Sequence, residues 1–316
     1  MNTAIETSGL RRTFGKQIAV GGINLAVPER AIYGFLGPNG AGKTTTIRLL
    51  LGLLKPSAGS VRIFGLDAGN RRHEVARLIG ALVETPCHYD HLTARANLAI
   101  TQRLLGAPKN DVDRVLEIVD LLADANRRVG GFSLGMRQRL GIARSLIGRP
   151  RLLLLDEPTN GLDPHGVLDV RRLIASLAER EGVTLFVSSH VLAEVEQTAT
   201  HVGLMHKGKL LIQSPVAALR AGQTKTVRLK VDRIDDARGL LGSMGFGSAL
   251  HDRHSLQVNA ACADAAARDI AAINAKLVEQ GVRVFGLEVS EPSLEDIFVG
   301  TIANVTAAHQ PMTVAS

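Results

Sequence analysis

One glycine-rich segment of the sequence has the spacing of a phosphate-binding loop. Residues 37–44 read Gly-Pro-Asn-Gly-Ala-Gly-Lys-Thr and match the pattern G-x-x-x-x-G-K-[ST]. Glycines let backbone N–H groups face a phosphate chain, and a helix that begins after the loop adds the positive end of its dipole. In this pattern Lys43 reaches the β- and γ-phosphates, and the hydroxyl of Thr44 binds Mg²⁺.

The alternative interpretation of this segment is a glycine-rich turn that matches the pattern by chance. A strand before the segment and a helix after it favour a nucleotide site, for which we predict Gly37, Pro38, Asn39, Gly40, Ala41, Gly42, Lys43, Thr44 and Thr45.

A pair of acidic residues follows a run of four leucines further along the chain. Residues 152–157 read Leu-Leu-Leu-Leu-Asp-Glu. A carboxylate at the end of a buried strand can hold Mg²⁺ directly or through water, which makes Asp156 a metal candidate. A neighbouring carboxylate can polarise the attacking water, so Glu157 is the candidate general base. The alternative is two solvated acids, since Asp and Glu are mostly exposed in any fold. The phosphate loop upstream favours the metal interpretation.

Three apolar runs predict the strands that position these residues. Residues 31–36 lead into the loop, 152–155 lead into the acidic pair, and 183–187 follow a predicted helix over about 166–180. Between the first two runs, residues from about 78 to 149 show mainly helical spacing. Strands that alternate with helices indicate a parallel α/β sheet, whose ligands bind at the carboxyl ends of its strands.

Length and composition limit the class of protein. The chain has 316 residues, of which 45% are hydrophobic, 21% charged and 3% aromatic, with two cysteines. This is a globular composition of about two domains. No uncharged apolar run approaches the ~18 residues needed to span a bilayer, and no signal peptide or disulfide framework is visible. We therefore expect a cytoplasmic chain.

The charge is unevenly distributed along the chain. Residues 221–316 hold 9 Lys and Arg against 11 Asp and Glu, which leaves 28 basic and 19 acidic residues in the first 220. The basic part should meet an anion, which could be a nucleotide, a nucleic acid or a membrane surface. The scarcity of aromatic side chains argues against nucleic acid, because few bases could stack on the protein.

The residues after about 215 differ in character from the rest. Their pattern alternates short strands with two helices and resembles a small α+β module of ferredoxin-like type. We therefore predict a domain over 1–215, a C-terminal domain over 216–303 and a flexible tail over 304–316. The C-terminal domain has two open interpretations, a regulatory or ligand-sensing module and an accessory domain that braces a dimer.

Three further motifs stand in a fixed order around the acidic pair. Residues 132–140 read Phe-Ser-Leu-Gly-Met-Arg-Gln-Arg-Leu, residues 160–163 read Asn-Gly-Leu-Asp, and residues 188–190 read Ser-Ser-His. With the loop and the acidic pair, this order resembles the nucleotide-binding subunit of an ATP-binding-cassette (ABC) transporter over roughly residues 5–215. The resemblance implies a P-loop NTPase fold with a RecA-like core, a helical subdomain over about 88–148, and ATP with Mg²⁺ as its ligands.

The resemblance also assigns roles to residues outside the loop. Ser133 and Gly135 would contact the γ-phosphate held by the opposite subunit of a head-to-tail dimer, and Asp163 would lie at that interface. His190 would sense or stabilise the γ-phosphate, and Phe14 would stack on adenine. Each has a simpler alternative, with Ser133 as a plain helix cap and His190 and Phe14 as core residues.

Two departures from the usual family pattern point to one branch. Glu84 stands where most members have a glutamine, and it could ligate Mg²⁺ or orient water. Residues 133–136 read Ser-Leu-Gly-Met in place of Ser-Gly-Gly-Gln. Both departures, and the ending at 291–298, resemble the branch that exports bacitracin, lantibiotics and other drugs or peptides. The alternative is neutral drift within an export ATPase whose cargo is unknown.

Together these features predict an ATP hydrolase that powers a separate integral membrane permease. The chain would act as a head-to-tail dimer, attached peripherally to the inner face of the cell membrane through that permease, and would bind no nucleic acid. The alternative is a soluble ABC-type ATPase acting on ribosomes or DNA. Such proteins usually carry two cassettes, long coiled coils or zinc sites, and none of these is visible in the sequence.

Overall fold

The computed structural model of the chain describes residues 2–84, 86–221, 225–252, 255–260, 263–290 and 297–298. It divides into two compact units, Met1–Val216 and Ala217–Ser316. The predicted tail over 304–316 lies outside the described residues, and so does most of the 291–298 motif.

The first unit contains strands that form two sheets and helices that pack on them. The strands are β1 (Thr3–Phe14), β2 (Gln17–Ile23), β3 (Ala26–Pro28), β4 (Ile32–Leu36), β5 (Ala58–Ile63), β6 (Leu66–Asp67), β7 (Ile79–Leu82), β8 (Leu152–Asp156), β9 (Thr184–Ser189), β10 (His201–His206) and β11 (Lys209–Pro215). The helices are α1 (Lys43–Leu50), α2 (Arg72–Leu78), α3 (Ala94–Leu105), α4 (Asp111–Ile118), α5 (Leu134–Leu146), α6 (Pro164–Arg180) and α7 (Leu192–Glu196). Helix α8 (Val216–Ala221) follows at the boundary between the units.

The larger sheet has the strand order β11-β10-β4-β9-β8-β7. Its strands from β10 to β7 pair in parallel, and β11 joins the edge antiparallel. The predicted parallel α/β sheet is thus confirmed. The prediction of a mainly helical region from residue 78 missed β7, because four apolar residues are too few for periodicity to separate a strand from a helix.

The leucine run of β8 is buried on both of its faces. Leu153 and Leu155 pack into a core with the helices α3 to α6, whereas Leu152 and Leu154 pack into a second core with α1 and the smaller, antiparallel sheet. Successive strand residues point to opposite faces, so a strand covered on both sides needs an unbroken apolar run. The smaller sheet has the order β2-β1-β5-β6, with β3 also paired to β1.

One buried carboxylate anchors the helical region between β7 and β8. Asp111, at the start of α4, is 1% exposed and accepts hydrogen bonds from Arg114 Nε at 2.6 Å and from the Gly148 N–H at 2.8 Å. Burial alone would raise the pKa of Asp111, but these donors favour the charged form and the net pKa is lowered. Asp111 therefore stabilises the fold as a carboxylate.

We expect Asp111→Ala to lower the free energy of unfolding by about 3 kcal/mol, because it leaves Arg114 without its buried partner. Asp113→Ala is the matched control. Asp113 lies in the same first turn of α4 as Asp111, but it is exposed and pairs with Arg95, so its loss should lower the free energy of unfolding by under about 1 kcal/mol. The lowered pKa means that Asp111 contributes at neutral pH and loses its contribution as the pH falls through that pKa. Urea unfolding at pH 7 and below pH 4 measures both effects. Equal losses in the two variants at pH 7 would contradict this assignment.

The second unit has its own sheet and core. Strands β12 (Lys225–Val231), β13 (Ser248–Asp252), β14 (Ser255–Ala260) and β15 (Val284–Ser290) pair antiparallel in the order β13-β14-β12-β15. Helices α9 (Ile234–Ser243) and α10 (Ala263–Glu279) complete the unit, and both contribute to a core that includes Val227, Leu241 and Leu277. The element order is β-α-β-β-α-β, the order expected for a ferredoxin-like module.

Candidate nucleotide-binding site

The glycine-rich loop joins the carboxyl end of β4 to the first turn of α1. Its backbone lies too close to neighbouring strands for any side chain at two positions. A Cβ on Gly42 would lie 2.3 Å from the carbonyl oxygen of Ala19, and one on Gly37 would lie 2.2 Å from that of Met205. Gly42 also has a φ of 107°, which L-residues rarely adopt. The loop therefore depends on glycine for both its contacts and its conformation.

A cavity of about 640 Å³ lies beside this loop and collects residues from distant parts of the chain. The predicted residues that line it are Phe14, Asn39, Gly40, Gly42, Lys43, Thr44, Thr45, Glu157 and His190. Asp156 is 4% exposed and lies beneath the surface, at the end of β8. The structure thus brings the loop, the acidic pair and the histidine to one edge of the parallel sheet.

Sequence reasoning missed three polar side chains of this cavity, Gln17, Asn160 and Lys207. Asn160 belongs to the Asn-Gly-Leu-Asp motif, so its position was available as a signal. Lys207 lies in the turn between β10 and β11 and reaches the cavity only because β10 pairs beside β4. No local pattern marks Lys207.

Lys43, Glu157 and His190 form a connected cluster. Lys43 Nζ lies 3.1 Å from Glu157 Oε1, and His190 Nδ1 lies 2.7 Å from Glu157 Oε2. Lys43 is only 6% exposed and also donates to the carbonyl oxygen of Gly37 at 2.6 Å. Glu157 is therefore not a freely solvated acid, and His190, at 40% exposure, is not a core histidine.

Phe14 lies at the end of the β1–β2 hairpin and is 46% exposed. It lines the cavity, so it is not a core residue. The guanidinium of Arg12 lies 4.6 Å from its ring centroid. An exposed ring at the rim of this cavity can offer a face to a planar base.

The other predicted contacts line a second cavity of about 440 Å³. Ser133 caps α5 by accepting a hydrogen bond from the Met136 N–H at 3.2 Å, and Asp163 caps α6 through the Gly166 N–H at 2.9 Å. Gly135 lies beside Ser133 in the same cavity. In the described part of the chain no residue lines both cavities, so Ser133, Gly135 and Asp163 are not brought together with Lys43.

Glu84 does not join the site to which we assigned it as a metal candidate. Its side chain is 63% exposed and forms an ion pair with Arg48 of α1. It does not line the cavity of the loop, and no described contact links it to Thr44 or Asp156. In this structure Glu84 therefore forms a surface ion pair, and its role as a metal ligand stays a prediction.

A comparison with family models matches residues 20–160 to the ABC transporter family. The chain is 45% identical to the bacitracin transport ATP-binding protein BcrA of Bacillus licheniformis. The match covers 97% of this chain and 99% of that protein. It is 39% identical to the lantibiotic transport ATP-binding protein SrtF of Streptococcus pyogenes, over 66% of this chain and 90% of that one.

Solved structures agree on the fold. The structure of cbiO1 from Clostridium perfringens, part of the ABC transporter complex cbiONQ, matches 78% of this chain and 98% of its own, with a TM-score of 0.65 and 22% identity. None of the described helices is long and apolar enough to cross a membrane. The family match, the near full-length relative and the fold together show that this chain belongs to the ABC transporter family, as an ATP-binding subunit that hydrolyses ATP to power a separate membrane permease.

Proposed function

We propose that the chain powers the export of a peptide antibiotic, a drug or another hydrophobic compound. The observation that carries this proposal is the 45% identity to a bacitracin transport protein along nearly the whole of both chains. The Ser-Leu-Gly-Met segment at residues 133–136 and the Val-Glu-Thr-Pro segment at residues 83–86 support the same branch. In this architecture the cargo is selected mainly by the permease, so the ATP-binding chain indicates the class of cargo and not one compound.

We propose ATP with Mg²⁺ as the ligand of the first cavity. The residues present fit Mg²⁺, because Thr44 and Asp156 offer a hydroxyl and a carboxylate, and Mg²⁺ is usually held by one or two carboxylates together with substrate phosphates. Among the described residues no group of three or more His, Cys, Asp or Glu forms a metal cage. When bound, the ion would neutralise charge on the phosphates.

Within one chain, each group has a defined task in this proposal. The N–H groups of the loop and Lys43 hold the phosphates, and Phe14 stacks on adenine. Glu157 orients the attacking water, and His190, 2.7 Å from that carboxylate, stabilises the γ-phosphate end of the site. Catalysis then rests mainly on positioning and charge stabilisation.

We propose a head-to-tail dimer because the second cavity lies away from the loop and is lined by the first residues of α5. Residues 133–136, at the start of α5, line this cavity, and a helix N-terminus attracts a phosphate. Ser133, Gly135 and Asp163 of one chain would then complete the site of its partner.

We propose two domains, over 1–215 and 216–303, with the second as an accessory or regulatory module. We propose no nucleic acid partner, and a location at the inner face of the membrane through the permease.

Affinity purification of the tagged chain from membranes of its own cells, in mild detergent, tests the coupling. We expect a polytopic membrane protein in stoichiometric amount. The Lys43→Met variant is the control, since docking should survive the loss of ATP hydrolysis. Recovery of ribosomes or nucleic acid in its place would contradict the transporter function.

Sensitivity to bacitracin, the compound named for the relative, tests the cargo class. We expect deletion of the gene to increase sensitivity to bacitracin or to a peptide of the same class. The wild-type gene should restore resistance, and the Lys43→Met gene should not. Unchanged sensitivity across a panel of peptide antibiotics and hydrophobic drugs would refute the export proposal and leave the ATP chemistry in place.

A further inference from the structure

Ser188 connects both residues of the acidic pair. It lies in β9 directly opposite Asp156 of β8 in the parallel pairing of these strands. Its side chain is fully buried, and Ser188 Oγ lies 2.5 Å from Asp156 Oδ1 and 2.9 Å from the backbone nitrogen of Glu157. A single hydroxyl therefore touches the side chain of one acid and the backbone of the next.

The direction of these two hydrogen bonds follows from their chemistry. A carboxylate only accepts, so the single hydroxyl proton of Ser188 is donated to Asp156. The hydroxyl oxygen then accepts the N–H of Glu157. Ser145, another buried serine of this unit, differs because its hydroxyl donates within its own helix to the carbonyl oxygen of Ile142.

The bond to the Glu157 N–H holds a strained backbone. Glu157 has a φ of 48°, in the left-handed region that non-glycine residues rarely adopt. Such a conformation persists only where the surroundings determine it. In this conformation the Glu157 carboxylate reaches both Lys43 and His190.

We infer that Ser188 is a positioning residue for ATP hydrolysis. Its hydroxyl holds the Asp156 carboxylate and the left-handed backbone of Glu157 in fixed positions relative to each other. This inference rests on the proposed role of Glu157 in orienting water. Ser188 does not line the cavity, so it touches no substrate and acts only through its two neighbours.

The test is steady-state kinetics of Ser188→Ala, Ser188→Thr and Ser188→Val. We expect Ser188→Ala to lower kcat by about 10- to 100-fold, the effect of losing a hydrogen bond to a charged group. KM for ATP should stay within about threefold, because the loop and Lys43 are unchanged. Thr and Val have the same shape but differ in the hydroxyl, so Thr should recover most of kcat and Val should not. Ser145→Ala controls for the loss of a buried hydroxyl and should leave kcat and KM unchanged.

The contrary outcomes are distinct. Normal kcat in folded Ser188→Ala, or equal kcat in the Thr and Val variants, would overturn the inference. A parallel loss of kcat and of unfolding free energy in Ser188→Ala and Ser145→Ala would do the same, since it would show a merely structural effect. The Glu157→Gln variant, measured in the same assay, separates a failure of the proposed role of Glu157 from a failure of the inference about Ser188. If that variant hydrolyses ATP normally, the proposed role of Glu157 fails, and if it is inactive while Ser188→Ala is normal, only the inference about Ser188 fails.

Discussion

Replacing Glu157 with glutamine is expected to lower the rate of ATP hydrolysis by at least about 100-fold while ATP binding is retained. The amide keeps the size of the side chain but cannot act as a base for the attacking water. The change also removes the ion pair with Lys43, whose ammonium lies 3.1 Å from the carboxylate in the described structure. Lys43 keeps its bond to the Gly37 carbonyl oxygen but no longer pairs with a carboxylate that competes with the phosphates, so affinity for ATP should be equal to or higher than that of the wild type.

Three measurements check this prediction. Single-turnover hydrolysis reports the chemical step, equilibrium binding of ATP reports affinity, and gel filtration with ATP reports a trapped dimer. Glu74→Gln is the matched control, since it makes the same chemical change at an exposed residue paired with Arg71. Turnover of Glu157→Gln at the control's rate would remove Glu157 from the role of general base.

Replacing Gly135 with aspartate is expected to lower the rate of ATP hydrolysis by at least about 100-fold without unfolding the chain. A Cβ on Gly135 meets no atom within 4 Å, so the side chain fits the isolated chain. An acid in the first turn of α5 also suits the helix dipole. In the proposed dimer, however, it would place a negative charge in the second cavity, where the partner's γ-phosphate must lie.

Lys43→Met should be equally inactive, because it removes the ammonium of the glycine-rich loop from the first cavity. Mixing the two inactive variants then tests how the cavities combine. In a head-to-tail dimer, a mixed pair has one site with both defects and one intact site, so the mixture should regain about a quarter of wild-type activity. Steady-state hydrolysis by separately purified chains, mixed with ATP, measures the recovery.

A second mixture provides the control. Lys43→Met and Glu157→Gln both alter the first cavity, so every site of their mixed dimer carries a defect and no activity should return. If Lys43→Met and Gly135→Asp together show no more than the sum of their separate activities, the head-to-tail arrangement is wrong.

The sequence alone determined the parts of the site that are contiguous in the chain. The glycine-rich loop, the acidic pair and the order of the motifs were all readable, because each depends on local chemistry. Gly42 is required by a backbone angle, and the leucines of β8 are required by a strand covered on both faces. The family resemblance led to the same nucleotide site.

The tertiary structure decided which of these parts meet. The cluster of Lys43, Glu157 and His190 exists because β4 and β8 both pair with β9, and this strand order has no signature in any local pattern. The same pairing placed Ser188 against Asp156, while the separation of Ser133 from Lys43 put predicted contacts into two cavities. Glu84, assigned to the metal from its motif, pairs with Arg48. Side-chain types and their spacing specify what each residue can do. Distances between residues far apart in the chain depend on the order of the strands across the sheet.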